Sequence, residues 1–264
     1  TGRHRLGFRA CGNFTVKLDD ETVLEGENEH HPMTWVHDVE LEAGREYAVQ
    51  IRYAKGLHEG QARLLWATPG QEEGDLRAAL DAAVAGEVVV MCLGLSATVE
   101  GEEMHVTAEG LYKGDRTDIV LPRPQQALLE RVAGLGKPVV LVLTGGGAIS
   151  VPWAADHIPA IVQAWYPGEE GGAALAAVLW GATNPAGRLP VTVYRSLDDL
   201  PPFEDYALLD APRGRTYRFF RGESLFPVGF GLSYTRFDYF ELRIEPDTIV
   251  SVVAALVNVD GTND

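Results

Sequence analysis

Through the first 67 residues, apolar side chains tend to recur at every second position. Phe14, Val16 and Leu18 alternate with Thr15, Lys17 and Asp19; Asp19-Asp20 marks a turn ahead of Thr22 to Leu24; the same period returns over Val36 to Leu41 and Tyr47 to Tyr53. A period of two turns one side of each segment to a core and the other to water, so short strands joined by polar turns are predicted, a piece of an antiparallel β-sandwich. From Asp75 to about Val193 the pattern changes. DLRAALDAAVAG predicts a helix closed by Gly86, EVVVMCLG a buried strand, PRPQQALLERVAGLG a helix opening near a proline, and KPVVLVLTGGG a second buried strand. PAIVQAWYPG and EEGGAALAAVLWG repeat the strand-then-helix order. Continuously apolar strands need cover on both sides, which parallel pairing with right-handed helical crossovers supplies. The predicted fold class is α/β: an open α/β sandwich with a mostly parallel sheet, preceded by a partial antiparallel β-sandwich. From Asn184 to about Tyr239 the chain is rich in Pro, Gly and aromatic residues with little period. Tyr217, Phe219, Phe220, Phe226, Phe230 and Tyr234 are expected to pin that segment onto the sandwich or onto a further domain, and Trp153, Trp165 and Trp180 are expected mostly in the core.

Composition narrows the function classes. The 264 residues are 46% hydrophobic and 23% charged, which suits a packed protein and excludes a disordered or collagen-like one. The formal charge of −16 repels phosphate backbones and anionic lipid, so neither nucleic acid nor membrane is an expected partner. No apolar run approaches the ~18 residues of a membrane span, and TGRHRLGF lacks a signal-like segment. The two cysteines, Cys11 and Cys92, give no disulfide framework, and Cys92 inside the run Val88 to Leu95 is expected as a buried free thiol. The chain opens within strand-like sequence and stops at NVDGTND, so it reads as a portion of a longer protein.

Ligands of open parallel sheets bind at the carboxyl ends of the strands. The loop leaving EVVVMCLG reads LSATVEGEEMHVTAEGLYKGDRTDIVLP and carries Glu100, Glu102, Glu103, Glu109, Asp115 and Asp118 against Lys113 and Arg116. Crowded carboxylates raise one another's pKa, and a carboxyl protonated near neutrality is what a general acid needs. A solvated acidic loop is the plainer alternative, with Arg116 locking it by pairing with Asp115 or Asp118. In TGGGAIS, Ser150 stands where a dinucleotide loop needs its third glycine and VPWAAD shows no clear helix start, so Gly145 to Gly147 are expected as a tight, closely packed turn. His30, His31, His37 and Asp38 read as solvated side chains without a completed ligand set, and no metal or cofactor is expected.

The ordered blocks GLSATVEGEEM, KGDRTDIVLPRPQQALLERV, KPVVLVLTGGGAISVPW, AIVQAWYPGEEGGAALAAVLWGATNPAGRLPVTVY and GRTYRFFRGESLFPVGFGLSYTRF resemble the second half of glycoside hydrolase family 3 enzymes, exo-acting β-glucosidases and β-xylosidases. The resemblance implies three segments. Residues 1–68 are similar to the later part of a protective-antigen-type β insertion, 69–239 to the α/β sandwich domain with the acid/base loop, and 240–264 to the first strands of a fibronectin-type III-like domain. It further implies a secreted or periplasmic retaining glycosidase acting on terminal β-linked sugars of plant-wall oligosaccharides. In such enzymes an N-terminal (β/α)8 barrel supplies an aspartate nucleophile, while the sandwich loop lends a glutamate in a Gly-Glu-Gly or Ala-Glu-Gly setting. The corresponding step is Gly101-Glu102, which makes Glu102 the implied general acid/base. Glu103 and Glu100 are the alternatives, since Glu103 stands where those members have glycine. Retention needs a second carboxyl ~5–5.5 Å away. A barrel of ~250 residues finds no room in this chain, so the chain by itself is expected to be inert. The rival readings are a non-catalytic carbohydrate-binding or assembly module and, more remotely, a nucleotide-binding α/β protein.

Overall fold

The computed structural model describes residues 1–56, 60–100, 109–207, 214–245 and 256–263. They group into two compact units, Thr1–Tyr166 with Arg195–Leu200, and Pro167–Tyr194 with Pro201–Asp264.

The first unit begins with β1 (Gly2–Leu18) and β2 (Glu21–Leu41), joined through the expected Asp19-Asp20 turn. Asp19 takes a left-handed φ of 55°, and its carboxylate accepts from the Ala48 N–H and from Arg45, both at 3.0 Å, which ties the turn to the chain entering the next strand. Two long strands replace the several short ones that the two-residue period suggests. The reason is a corner in the hairpin, where pairing jumps from Ala10↔Met33 to Gly12↔Asn28, so the extra β2 residues bend the ladder without ending it. Each half of β1 then gains its own further neighbour. β4 (Gln61–Ala67) pairs with Arg5 to Cys11, and β3 (Val49–Lys55) pairs with Gly12 to Leu18. The halves pack through Phe8 on Phe14, with ring centres 4.6 Å apart, and Phe14 on Trp35 at 4.8 Å, over a core of Leu6, Ala10, Val16 and Leu24. Each fully buried side chain of that size contributes roughly 1.5–3 kcal/mol. Asp38, weighed above beside the histidines, accepts instead from Arg3 and Arg5 at 2.5 and 2.8 Å. The side chains of His30 and His31 lie outside the described residues.

The chain next forms α1 (Gln71–Ala85), ended by Gly86 as expected, and β5 (Val89–Gly94). A small hairpin, β6 (Leu111–Tyr112) and β7 (Asp115–Arg116), precedes α2 (Arg123–Ala133), β8 (Val139–Thr144), α3 (Pro152–His157) and β9 (Ala160–Gln163). The sheet order is β5-β8-β9, parallel throughout, in register from Val89↔Val139 to Gly94↔Thr144. The predicted alternation therefore gives a small parallel sheet with helices beside an antiparallel one, a mixed α/β fold. β8 is its centre: Val139, Leu141, Val142 and Leu143 are all buried, as is Leu129 of α2.

Two expectations in this region need correction. β5 is an edge strand of the described sheet, and successive side chains leave it on opposite sides. Met91 is buried while Val90 is 42% exposed, and Cys92 is an exposed free thiol where a buried one was expected. A continuous apolar run cannot reveal that one side lacks cover. VPWAAD, read as having no helix start, forms α3 with Pro152 in its first turn, where the ring pre-sets φ and the missing N–H costs nothing. Trp153 stacks on His157 across that turn at 4.5 Å.

The second unit contains α4 (Gly171–Leu179), the single turn α5 (Thr216–Phe219), and the antiparallel pair β10 (Phe237–Glu245) and β11 (Leu256–Asn263). Its aromatic residues hold its loops together. Phe226 stacks on Phe230 at 5.2 Å, Tyr194 meets Phe220 edge-on, and the Tyr234 hydroxyl donates to the Val178 carbonyl at 2.6 Å. Trp180 does not follow expectation: it is 79% exposed, and α4 buries none of its residues despite its apolar sequence.

Candidate active site

Three chain segments leaving the carboxyl ends of the parallel strands meet in the first unit. β5 and β8 first come very close. Gly94 has φ 128°, and a side chain there would place its Cβ 2.0 Å from the Thr144 carbonyl oxygen. The Gln125 side chain of α2 brackets Gly94, accepting from its N–H at 2.6 Å and donating to its carbonyl at 2.8 Å. The Leu95 N–H then donates to the Thr144 carbonyl at 2.8 Å. The chain next turns once, with the N–H groups of Val99 and Glu100 both donating to the Ser96 carbonyl at 3.0 Å. That turn delivers Glu100 to the two neighbouring segments.

Glu100 Oε2 accepts from the Gly146 N–H at 2.9 Å, in the glycine turn after β8, and from the Tyr166 hydroxyl at 2.5 Å, beyond the end of β9. Gly146 supplies space as well as a donor: a Cβ there would stand 3.2 Å from Glu100 Oε2 and from the Tyr166 ring. Trp165, just before Tyr166, takes a left-handed φ of 56°, an uncommon conformation for a bulky residue and one of a kind often found at functional sites. Burial, with the Glu100 carboxylate as the next cause, pushes the Tyr166 hydroxyl up to about 12.

Arg116 approaches from β7. Its Nη1 donates to the Ala148 carbonyl at 2.6 Å and its Nε to the Asp118 carbonyl at 3.2 Å. Burial draws the guanidinium below the usual arginine range, against the attraction of Glu100 and Asp118. Its Nη2 is buried without a hydrogen-bond partner among the described residues. The expected lock on the loop is present but made to carbonyls, because the Asp118 carboxylate is occupied with the N–H groups of Ile119 and Val120 at 2.7 and 3.3 Å. Glu109 pairs with Arg123. Of the described carboxylates of the acidic loop, Glu100, Glu109 and Asp118 each have partners of their own, where crowding was expected.

Of the three candidate acids, Glu100 lies at this junction, and Glu102 and Glu103 fall in 101–108, outside the described residues. Glu100 is engaged by two donors on one oxygen, the geometry of a loop anchor. Tyr166 and the Gly146 N–H were not singled out from sequence. The available signal was a tyrosine straight after an apolar strand and before Pro167, at the sheet end where ligands gather. The expected tight glycine turn is found, and it faces Glu100 and Arg116.

Residues 12–234 match the family profile described as "Glycosyl hydrolase family 3 C-terminal domain". The chain is 47% identical over 160 residues to a xylan 1,4-beta-xylosidase of Xylanibacter ruminicola, a match covering 61% of this chain and 18% of that protein. It is 32% identical to a beta-glucosidase of Rhizobium radiobacter, across 100% of this chain and 34% of the relative. The crystal structure of a beta-glucosidase from Kluyveromyces marxianus in complex with glucose has the same fold over 100% of this chain and 37% of its own, with a TM-score of 0.64 at 23% identity. The chain thus spans between about a fifth and about a third of the length of these two sequence relatives.

Proposed function

The chain belongs to glycosyl hydrolase family 3, whose C-terminal domain it carries, and from that premise we propose that it is the acid/base-bearing part of a retaining exo-β-glycosidase of the β-xylosidase or β-glucosidase type. Its substrates are terminal non-reducing β-linked sugars of plant-wall oligosaccharides, and the nucleophile comes from an N-terminal (β/α)8 barrel that this chain does not contain. In the first step Glu102 protonates the glycosidic oxygen as the barrel aspartate attacks C1; in the second it deprotonates the incoming water. The enzyme is secreted or periplasmic, where polymeric glycan is met.

The observation that carries this reading is the anchoring of Glu100 at the carboxyl end of the parallel sheet, two residues before Glu102. Ligands of such sheets bind at that end. Names among the relatives support both sugar classes. The test compares this chain with the complete protein on aryl β-xylosides and β-glucosides, following the anomeric configuration of the released sugar by NMR. The complete protein is expected to release β-sugar first, and the chain alone nothing. Release of the α-anomer, or hydrolysis by the chain alone, contradicts the assignment. Tight binding of xylo- or cello-oligosaccharide by a complete protein without hydrolysis would favour a binding module instead.

A further inference from the structure

β5 lies at one edge of the parallel sheet, and its inner side is fully engaged. The Val89 N–H donates to the Pro138 carbonyl at 2.9 Å and the Leu95 N–H to the Thr144 carbonyl at 2.8 Å. Bonding to a parallel neighbour alternates along a strand, so the N–H and C=O groups of residues 89, 91, 93 and 95 face β8, and those of Val90, Cys92 and Gly94 face away. Gly94 is satisfied by Gln125, whose side-chain amide accepts from its N–H and donates to its carbonyl as a neighbouring strand would. Val90 and Cys92 have no strand partner on that side among the described residues. Edge strands are ordinarily guarded by a charge, a proline or a bulge. VVMCLG has no charge and no proline, and its pairing with β8 runs in unbroken register. Val88 and Val90 are 55% and 42% exposed, and Cys92 is exposed as well. Beside them lies a groove of about 310 Å³ lined only by apolar residues, among them residues 88–91, Ala82 and Ala83 of α1, and Leu128 and Val132 of α2.

We propose that the outer edge of β5 is a docking site for one further strand of the same polypeptide, an apolar segment from the part that precedes this chain. That strand pairs with Val90 and Cys92, stops short of Gly94, where Gln125 closes the edge, and lays apolar side chains into the groove. Three observations choose this occupant. Parallel sheets are stable when their apolar strands are covered, and an unguarded edge left open would template pairing between copies. The matched profile is that of a C-terminal domain, and the matches span 18% and 34% of two longer relatives, so most of their length lies outside this chain and chiefly on its N-terminal side. A segment tethered in the same polypeptide meets the edge at an effective concentration on the order of millimolar, which favours it over a second copy. The proposal rests on the chain being the C-terminal portion of a longer protein and is independent of which glutamate is the acid.

The experiment uses the complete protein that carries this chain and reads backbone amide hydrogen exchange residue by residue. The amides of Met91 and Leu93, which face β8, are the internal reference. Those of Val90 and Cys92 are expected to exchange within about tenfold of them, because a second neighbour holds them too. Exchange at Val90 and Cys92 more than about tenfold faster than at Met91 and Leu93 means an open edge and overturns the proposal. The occupant is identified separately, by placing a photo-cross-linking benzophenone side chain at position 90, which is partly exposed and tolerates bulk, and mapping the cross-linked peptide. A peptide that precedes Thr1, joined with no change in the protein's mass, is the expected result. A peptide from within this chain, one that follows Asp264, or a product of doubled mass, which marks a second copy, overturns it. If the substituted protein fails to fold, the exchange comparison in the unsubstituted protein still decides whether the edge is paired.

Discussion

Replacing Gly94 by alanine tests the strand junction from which the acidic loop departs. The new Cβ would lie 2.0 Å from the Thr144 carbonyl oxygen and 2.9 Å from the Thr144 carbonyl carbon and amide nitrogen. All three are backbone atoms of the central strand, so no side chain can swing away. Relief requires β5 and β8 to part by about 1 Å at their last pair, the gap between 2.0 Å and the 3.0 Å that real Cβ contacts respect. Parting them breaks the Leu95 to Thr144 hydrogen bond and disturbs the two made by Gln125. The backbone strain of a non-glycine residue at φ 128° costs about 1–3 kcal/mol, and each lost hydrogen bond about 1 kcal/mol. A total of about 4–6 kcal/mol is a large share of the ~5–15 kcal/mol that holds a domain folded. Gly136 is the matched control: it has φ 72° and open space around its Cβ position, so Gly136→Ala carries only the left-handed penalty of about 1–2 kcal/mol. Urea titrations followed by tryptophan fluorescence and far-UV circular dichroism compare the two. A difference of about 3 kcal/mol is expected. Equal losses, within the roughly 0.5 kcal/mol scatter of such extrapolations, would refute the close approach of β5 and β8.

Four further outcomes follow from the same geometry. Leu129→Ala, at a fully buried position, should cost about 2–5 kcal/mol in the same titration. In the native chain Cys92 should react with a thiol reagent within minutes and Cys11 only after denaturation. The Asp38 carboxyl, held down to about 2 by hydrogen bonds from Arg5 and Arg3, should titrate well below the usual carboxylate range in carbon-13 NMR; its stabilising contribution is complete above pH 3.8 and lost as pH falls through 2. The Tyr166 hydroxyl should ionise near pH 12 by ultraviolet difference titration. Its contribution is complete below pH 10 and lost as pH rises through 12, and Glu100→Gln should bring the midpoint part of the way back.

Local chemistry made much of the fold legible. The turn at Asp19-Asp20, the stop at Gly86 and the parallel order implied by EVVVMCLG and KPVVLVLTGGG all depend on residues near in sequence. What escaped depends on distant ones. The corner at Cys11 joins segments that periodicity counts as separate strands, and the exposure of Val90, Cys92 and Trp180 reflects which side of an element is covered. α3 was missed because it is a single short helix whose only signal is a proline. At the site, the acidic loop and the glycine turn were visible as sequence, but their meeting was not. Glu100, Gly146 and Tyr166 are 46 and 66 residues apart along the chain, and only the parallel register of β5, β8 and β9 brings them together.

The most direct test of the whole account is Glu102→Ala in the complete protein, assayed with and without azide. Hydrolysis of poor leaving groups should fall at least about a hundredfold while activated aryl glycosides are cleaved to a slowly hydrolysed glycosyl-enzyme. Azide should then accelerate turnover and appear in the product as β-glycosyl azide. Uniform loss across leaving groups with no azide product, or that signature from Glu103→Ala in place of Glu102→Ala, would contradict the assignment.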